Sequence, residues 1–328
     1  MTRIRIQTTS RLHFGLFGWG KGSPRQFGGL GLMVERPGIT LIGKPAEAPL
    51  AEGPLAERVR LLLDELPERC SELGLARPNG SVDLKVLDAP DEHVGLGVGT
   101  QLSLAVTLAF LELTGAKPSP HDRTALARLS GRGIRSGIGI HGFFEGGLVV
   151  DGGHRKPGDV PPLLARHPFP DDWHILLIQP PQKGLHGAAE RRAFARLPSV
   201  PEQVTDQLCR MVLLDLLPCL AERDLDGFGQ ALSELQRRVG TCFSTVQGGL
   251  YASTFASEIV AELGRLSLKG AGQSSWGPTL YAFSDAEESM RSELALRIRE
   301  RFELPAGCVV WTRAANHGAS IELESDPA

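Results

Sequence analysis

The chain lacks the signatures of several common routes to chemistry. It has no His-Glu-x-x-His, and its cysteines and histidines show no zinc-ligand spacing. No Gly-x-Ser-x-Gly elbow is present. There is also no hydrophobic run ending in paired acids, the loop by which common phosphoribosyltransferases grip ribose. The five cysteines, at 70, 209, 219, 242 and 308, are scattered and form no Cys-x-x-Cys. That argues against a disulfide framework and suits a reducing cytosol. The formal net charge is only −3, so no global basic field points to nucleic acid or membrane. No apolar run reaches the ~20 residues a membrane helix needs. The opening Met1-Thr-Arg-Ile-Arg-Ile-Gln alternates like a strand, where a signal peptide would carry an apolar core. The expectation is a cytoplasmic protein with neither a nucleic-acid nor a membrane partner.

What the chain does hold is glycine. Its 39 glycines cluster at 15–31, 95–99, 131–153, 240–249 and 270–277, which marks tight turns or backbone brought close to a ligand. The 328 residues are enough for two domains at roughly 100 to 200 residues each. Alternation predicts strands at 3–8, 81–87, 147–151, 173–179, 278–283, 308–313 and 318–323. Residues 32–43 read as strands broken by Pro37-Gly38, and 10–31 as a glycine-rich stretch. Helical spacing covers 54–75, with Pro67 set to kink or end it. Further helices are expected from the 95–101 glycines to Leu113, from Ser119-Pro120, and at 187–196, 202–220, 224–239, 253–267 and 285–301. Five prolines between 154 and 171 mark the linker, dividing the chain into 1–165 and 166–328. Interleaved strands and helices give an α+β or α/β class.

Six segments carry polar groups in suggestive places. In 93–107 the alternating Gly95, Gly97 and Gly99 run straight into a helix, followed by Thr100, Gln101 and Ser103. Unpaired N–H groups and a positive dipole end there can hold phosphate; a tight turn packed on a sheet explains the same residues. Lys269-Gly-Ala-Gly-Gln-Ser-Ser-Trp-Gly277 reads as a second glycine loop, with Gly270, Gly272, Gln273, Ser274 and Ser275 able to form an anion nest facing the first. Arg11 and His13 are two apart and share a strand face, as a phosphate fork and a proton-handling or donor group or as an exposed strand end. Arg132, Arg135 and Ser136 border the glycine turn 132–141. Lys183, His186 and Glu190 lie in a charged loop and helix start, and Trp311 to His317 ends a polar strand.

Taken in order, these segments resemble the GHMP kinase superfamily: the arginine-bearing strand, Gly-Leu-Gly-x-x at 95–99, Ser-Gly-Ile at 136–138 and Gly-Ala-Gly at 270–272. The resemblance spans nearly the whole chain. It implies an N-terminal domain like ribosomal protein S5 domain 2, a ferredoxin-like C-terminal domain and a site between them. Two departures count against phosphoryl transfer. Superfamily kinases usually read Gly-Leu-Gly-Ser-Ser where Val98 and Gly99 stand, and many read Ser-Gly-Ile-Asp where Gly139 stands. A glycine cannot orient a hydroxyl or accept its proton.

Within the superfamily the chain resembles the beta-ribofuranosylaminobenzene 5'-phosphate synthases. The matching segments are 10–15, Gly-Leu-Gly-Val-Gly-Thr-Gln at 95–101, Arg-Ser-Gly-Ile-Gly at 135–139, 184–190 and Gly-Ala-Gly-Gln-Ser-Ser-Trp-Gly-Pro at 270–278. The resemblance implies condensation of phosphoribosyl pyrophosphate with 4-aminobenzoate (or its relative 4-hydroxybenzoate), releasing CO2 and pyrophosphate, in tetrahydromethanopterin biosynthesis. It also implies a Mg²⁺ requirement, with the ion held mainly by substrate phosphates, and a homodimer. On this reading Arg11, His13 and Lys183 are the catalytic candidates. Gly95, Gly97, Gly99, Thr100, Gln101, Ser103, Arg135 and Ser136, with Gly270, Gly272, Gln273, Ser274 and Ser275, are the substrate-binding candidates. The rivals are an ATP-dependent small-molecule kinase with Asp151 or Glu145 as a displaced carboxylate, and a non-catalytic binding module.

Overall fold

The computed structural model describes residues 2–116, 123–182, 184 and 187–325. The first half runs β1 (Thr2–Gln7), β2 (Ser10–Gly18), β3 (Phe27–Val34), β4 (Thr40–Ala46), β5 (Leu50–Glu52), α1 (Ala56–Glu72), β6 (Ser81–Asp88), α2 (Val98–Thr114), α3 (Arg123–Leu129), α4 (Ile138–Glu145), β7 (Leu148–Asp151) and β8 (Leu163–His167). The second runs β9 (His174–Ile178), α5 (Gly187–Arg196), α6 (Glu202–Met211), a π-helical turn (Val212–Leu216), α7 (Leu217–Glu222), α8 (Leu225–Gln247), α9 (Thr254–Arg265), β10 (Lys269–Gln273), β11 (Leu280–Ser284), α10 (Glu288–Arg301), β12 (Val309–Thr312) and β13 (Ser320–Ser325).

Three sheets result, ordered β13-β1-β4-β6-β5, β2-β3-β7-β8 and β10-β11-β9-β12. Every pairing is antiparallel except β5 with β6, so the class is α+β. Helix α2 is buried nearly all round, as its apolar sequence demands. It packs on the first sheet and against α1 and α4. Helix α8 lies against both β10 and β2 and so bridges the halves. Phe14 of β2 meets Tyr281 of β11 at 5.1 Å between ring centroids, and one apolar core runs from Ile4 to Phe283. A smaller core fills the far face of the third sheet under α9 and α10. No helix among the described residues is long and apolar enough to cross a membrane.

Several expectations need correction. Pro67 does not end α1, which continues to Glu72. Packing of the buried Leu62, Leu63, Leu66 and Cys70 outweighs the backbone bond that proline forfeits. Residues 10–31 are mostly the β2–β3 hairpin. The glycine-rich 138–145 segment is a helix, with Gly142 pressed against Met33. Residues 269–273 form a strand that begins the second glycine segment. The proline-rich stretch contains β8, which pairs with β7, so the expected division after residue 165 falls inside a strand. The last strand, β13, returns to pair with β1.

Candidate active site

The two glycine segments and strand β2 are bonded directly to one another. Ser274 Oγ donates to the Gly95 carbonyl at 2.6 Å and accepts from the His13 amide at 3.0 Å. The Thr279 amide donates to the Val94 carbonyl, the Arg11 amide to the Leu96 carbonyl, and the Ser275 amide to the His13 carbonyl. Gly95 has φ +96°, and a Cβ on it would lie 2.5 Å from the Ser274 carbonyl. Only glycine allows that approach. Gly97, in the left-handed region at φ 73°, is the N-cap of α2; no side chain caps this helix and its first turn holds no acid. Its free N–H groups and positive dipole end therefore open onto whatever lies in front.

Three guanidinium groups surround that first turn. Arg11 Nε lies 3.3 Å from where a Gly97 Cβ would stand, and Arg58 Nη2 and Arg132 Nη2 lie 3.0 and 3.2 Å from the corresponding point at Gly99. Arg132 Nε donates to Ser103 Oγ at 3.0 Å, and that hydroxyl donates to the Gly99 carbonyl. Arg58 is paired with Glu92. Burial lowers Arg11 to about 10, Glu190 pulling it back up and Arg135 pushing it further down. Burial likewise lowers Arg132 to about 10, with Arg58 adding to the shift. Both remain cationic at neutral pH. Like charges crowded beside a helix N-terminus form a receptor for a polyanion. They line a groove of ≈ 770 Å³ with the 95–100 loop, Glu190, Phe194, Ser275 and Trp276.

Behind the groove is a smaller cavity of ≈ 240 Å³. Its walls include Phe14, Leu16, Val239 and three mutually packed rings, Phe194, Phe243 and Trp276. Phe194 and Trp276 lie 4.6 Å apart between centroids, Phe243 and Trp276 5.3 Å. Its charged lining residues, Arg11, Arg132, Arg135 and Glu190, are all shared with the groove, so charge stands at the mouth and the interior is neutral. Arg135 donates to Glu190 Oε1 at 2.7 Å and stacks 4.4 Å above the Phe194 ring. His13 also lines this cavity; burial first, then Arg11 and Arg135, push its pKa well below the usual 6.5. It is a neutral imidazole at pH 7.

The expected site residues divide accordingly. Arg11, Thr100, Arg135 and Ser275 line both spaces; Gly95, Gly97 and Gly99 line the groove, and His13, Ser136 and Gln273 the cavity. Several act through neighbours. Ser103 holds Arg132, and Ser274 is fully buried as a clamp. Gln101 is buried with Nε2 on the Gly139 carbonyl at 2.9 Å. Ser136 donates to Asp151 at 3.0 Å. Gly270 and Gly272 do not form a nest: their open sides face Leu232 and Gln236 of α8. Lys183, and His186 beside it, lie outside the described residues. Reading from sequence missed Arg58, the choice of Arg132, Glu190 as the partner of Arg135, and the aromatic wall. Arg132, which opens the flagged 132–141 segment, and Glu190, named at a helix start, were the legible signals among these.

The carboxylates a kinase would need stand elsewhere. Asp151 is fully buried, accepting from Ser136 and from the Gly137 and Gly153 amides, and Glu145 pairs with Arg123. Neither lines the groove or the cavity. At Gly139 a Cβ would press on Thr100 Cγ2 at 3.1 Å, so an aspartate at this superfamily position would require Thr100 to shift. The groove's own carboxylates, Glu92 and Glu190, are both engaged by arginines. Among the described residues no cluster of three or more His, Cys, Asp or Glu is placed to hold a metal.

No family model matches the chain. Beta-ribofuranosylphenol 5'-phosphate synthase of Archaeoglobus fulgidus is 34% identical over a 347-residue alignment that covers 98% of this chain and all of that protein. The protein of that name from Methanocaldococcus jannaschii is 32% identical, covering 96% and 99%. Among solved structures, homoserine kinase from Cytophaga hutchinsonii superposes with a TM-score of 0.68 at 14% identity, over 98% of this chain and 97% of that one. A mevalonate 5-diphosphate decarboxylase gives 0.65 at 11% identity, with the same coverage of each chain. At such identities these neighbours show the fold alone, and that fold is the GHMP-kinase fold. On full-length similarity to its named relatives, the chain is an enzyme and belongs to the beta-ribofuranosylphenol 5'-phosphate synthase family.

Proposed function

We propose that the enzyme joins the phosphoribosyl group of phosphoribosyl pyrophosphate to the ring of a para-substituted benzoate, with loss of CO2 and pyrophosphate. The relatives are named for a ribofuranosylphenol, which favours 4-hydroxybenzoate; 4-aminobenzoate has the same shape and a comparable electron-donating group. The observation that carries the reading is the junction of two unlike spaces. A neutral, aromatic-walled cavity opens, at Arg11, Arg132 and Arg135, onto an arginine-lined groove at a helix N-terminus. A flat apolar ring suits the first and a diphosphate the second.

The chemistry balances without a protein base. The ring carbon bearing the carboxylate bonds to ribose C1 as the bond from C1 to pyrophosphate breaks, the pyrophosphate leaving with the electron pair. The carboxyl–ring bond then breaks, its electrons restore aromaticity, and CO2 departs. No proton is transferred, so a neutral His13 and a glycine at the aspartate position are no handicap. The protein's tasks are positioning and charge stabilisation at the leaving group. Arg11 and Arg132 with the α2 N-terminus offset the charge gathering on pyrophosphate. With Glu92 and Glu190 paired to arginines, Mg²⁺ would be held mainly by substrate phosphates and would supply charge neutralisation at the leaving group. The place in tetrahydromethanopterin biosynthesis is what the resemblance implies and is part of the proposal.

The test is release of labelled CO2 from carboxyl-labelled 4-hydroxybenzoate or 4-aminobenzoate. Phosphoribosyl pyrophosphate and Mg²⁺ are supplied in one tube, ATP and Mg²⁺ in another. Release that requires phosphoribosyl pyrophosphate is the expected result. No release from either acid with folded protein would sink the reading, and phosphorylation with ATP would replace it by the kinase.

A further inference from the structure

If the cavity holds the aromatic acid, its orientation is fixed by the reaction. The ring carbon bearing the carboxylate must face ribose C1 at the groove, so the para substituent points to the far end. Of the residues that line the cavity and not the groove, one set lies together on α8 and just after it, Val239, Gly240, Phe243 and Gln247 with Leu250 and Tyr251, and we assign it to that end. It carries no charge, so a para substituent is met there by neutral hydrogen-bonding groups.

Three glutamines line the cavity, and two are spent. Gln236 donates Nε2 to the Phe14 carbonyl and accepts from the Gln273 amide at 3.0 Å. Gln273 donates to the Ser275 carbonyl at 2.9 Å and accepts from the Ala252 amide at 2.8 Å. Gln247 differs. Both of its bonds use Nε2, to the carbonyls of Gly249 at 2.9 Å and Leu250 at 2.8 Å. Two carbonyl partners fix the amide orientation, because only the NH2 can donate to them. What Gln247 can offer to a ligand is its Oε1, an acceptor.

We propose that Gln247 Oε1 accepts a hydrogen bond from the para O–H or N–H of the bound benzoate and selects such acids over those with no donor there. The inference rests on the reading of the cavity given above. It also bears on turnover. As ring electrons flow into the new carbon–carbon bond, the para oxygen or nitrogen becomes electron-poor and its hydrogen more acidic. The bond to Gln247 therefore strengthens toward the transition state, which raises kcat as well as affinity.

The experiment is calorimetric titration of the full chain, wild type and Gln247→Leu, with 4-hydroxybenzoate and with 4-fluorobenzoate, which is similar in size and has no donor. Wild type should bind the hydroxy acid about tenfold more tightly. In the variant that preference should shrink to within about twofold, through loss of the hydroxy acid's affinity alone. Retention of 4-fluorobenzoate binding shows that the 249–251 loop is still in place. Kinetics of the variant should show kcat for 4-hydroxybenzoate reduced as well as KM raised. Three results overturn the proposal: equal affinities in wild type, an intact preference in the variant, or both acids weakened alike, which would make Gln247 only a loop support. The first of these leaves the synthase reading standing, since both acids still bind. Binding of neither acid by wild type would remove the proposal and that reading together.

Discussion

Arg11, Arg132 and His13 show what a single side chain is asked to do here. Arg11 comes from β2, its amide bonded to Leu96 and its guanidinium laid against Gly97. Its Nε is buried without a protein hydrogen-bond partner, a cost that a bound anion would remove. Arg11→Ala should lower kcat/KM by roughly ten- to a hundredfold, the worth of a hydrogen bond to a charged group. An unchanged circular dichroism spectrum is expected alongside, and near wild-type turnover would take Arg11 out of the scheme. Arg132→Gln should weaken pyrophosphate binding by about 1.5–3 kcal/mol in calorimetry. His13 makes a pH prediction. Its folded pKa lies below the unfolded value of 6.5. As pH falls below 6.5, the unfolded chain takes up a proton that the folded chain refuses. Stability is then lost with falling pH. His13→Gln should flatten that loss, measured as the urea midpoint at pH 7 and pH 5.5. His174, also lowered by burial, keeps part of the slope in the variant.

At the scale of elements the decisive feature is the clamp between the two glycine segments. A Cβ on Gly277 would overlap the backbone of Gly95, and backbone cannot step aside as a flexible side chain can. Gly277→Ala should cost roughly 2 kcal/mol or more and weaken pyrophosphate binding, since it displaces the loop that shapes the groove. Thermal unfolding and calorimetry read the two effects separately; an unaffected loop affinity would show that the groove does not depend on the clamp. This scale is also where reading from sequence was least secure. Clustered glycine signalled the 95–99 turn correctly, because three glycines led into a long apolar helix. The same signal at 270–272 was misread. There glycine lets α8 approach a strand, with Gly272 beside Gln236 and Tyr281. Glycines 139 and 142 likewise sit inside α4. Glycine content reports closeness of approach; whether the neighbour is a ligand or another element depends on packing.

The whole molecule closes on itself through β13, whose residues 320–325 pair with β1 along its full length. Removing residues 319–325 would bare the β1 edge, which then has no partner on that side. The truncated chain should have a lower urea midpoint and aggregate on concentration, checked by fluorescence and light scattering; unchanged stability would mean that the sheet does not need its last strand. Such long-range closure is also what assembles the site. Phe14 and Leu16 come from the first hairpin, Phe194 from α5, Phe243 from α8 and Trp276 from the segment after β10. They meet only because α8 packs on β2 and β10 at once.

By itself the sequence determined the local backbone and the kind of protein. Alternation and helical spacing placed most elements, the glycines before an apolar helix marked a tight turn at a helix start, and the ordered segments pointed to the superfamily and its synthase branch. Those are properties of residues close together in the chain, where steric rules act directly. Only the tertiary structure decided that Arg11, Arg58 and Arg132 converge on one helix turn, that Glu190 holds Arg135, and that five apolar residues far apart in sequence form one wall. It also decided which glycines face a cavity and which face a helix. The reason is that a side chain's distant neighbours are chosen by how whole elements pack, and no local pattern records that choice.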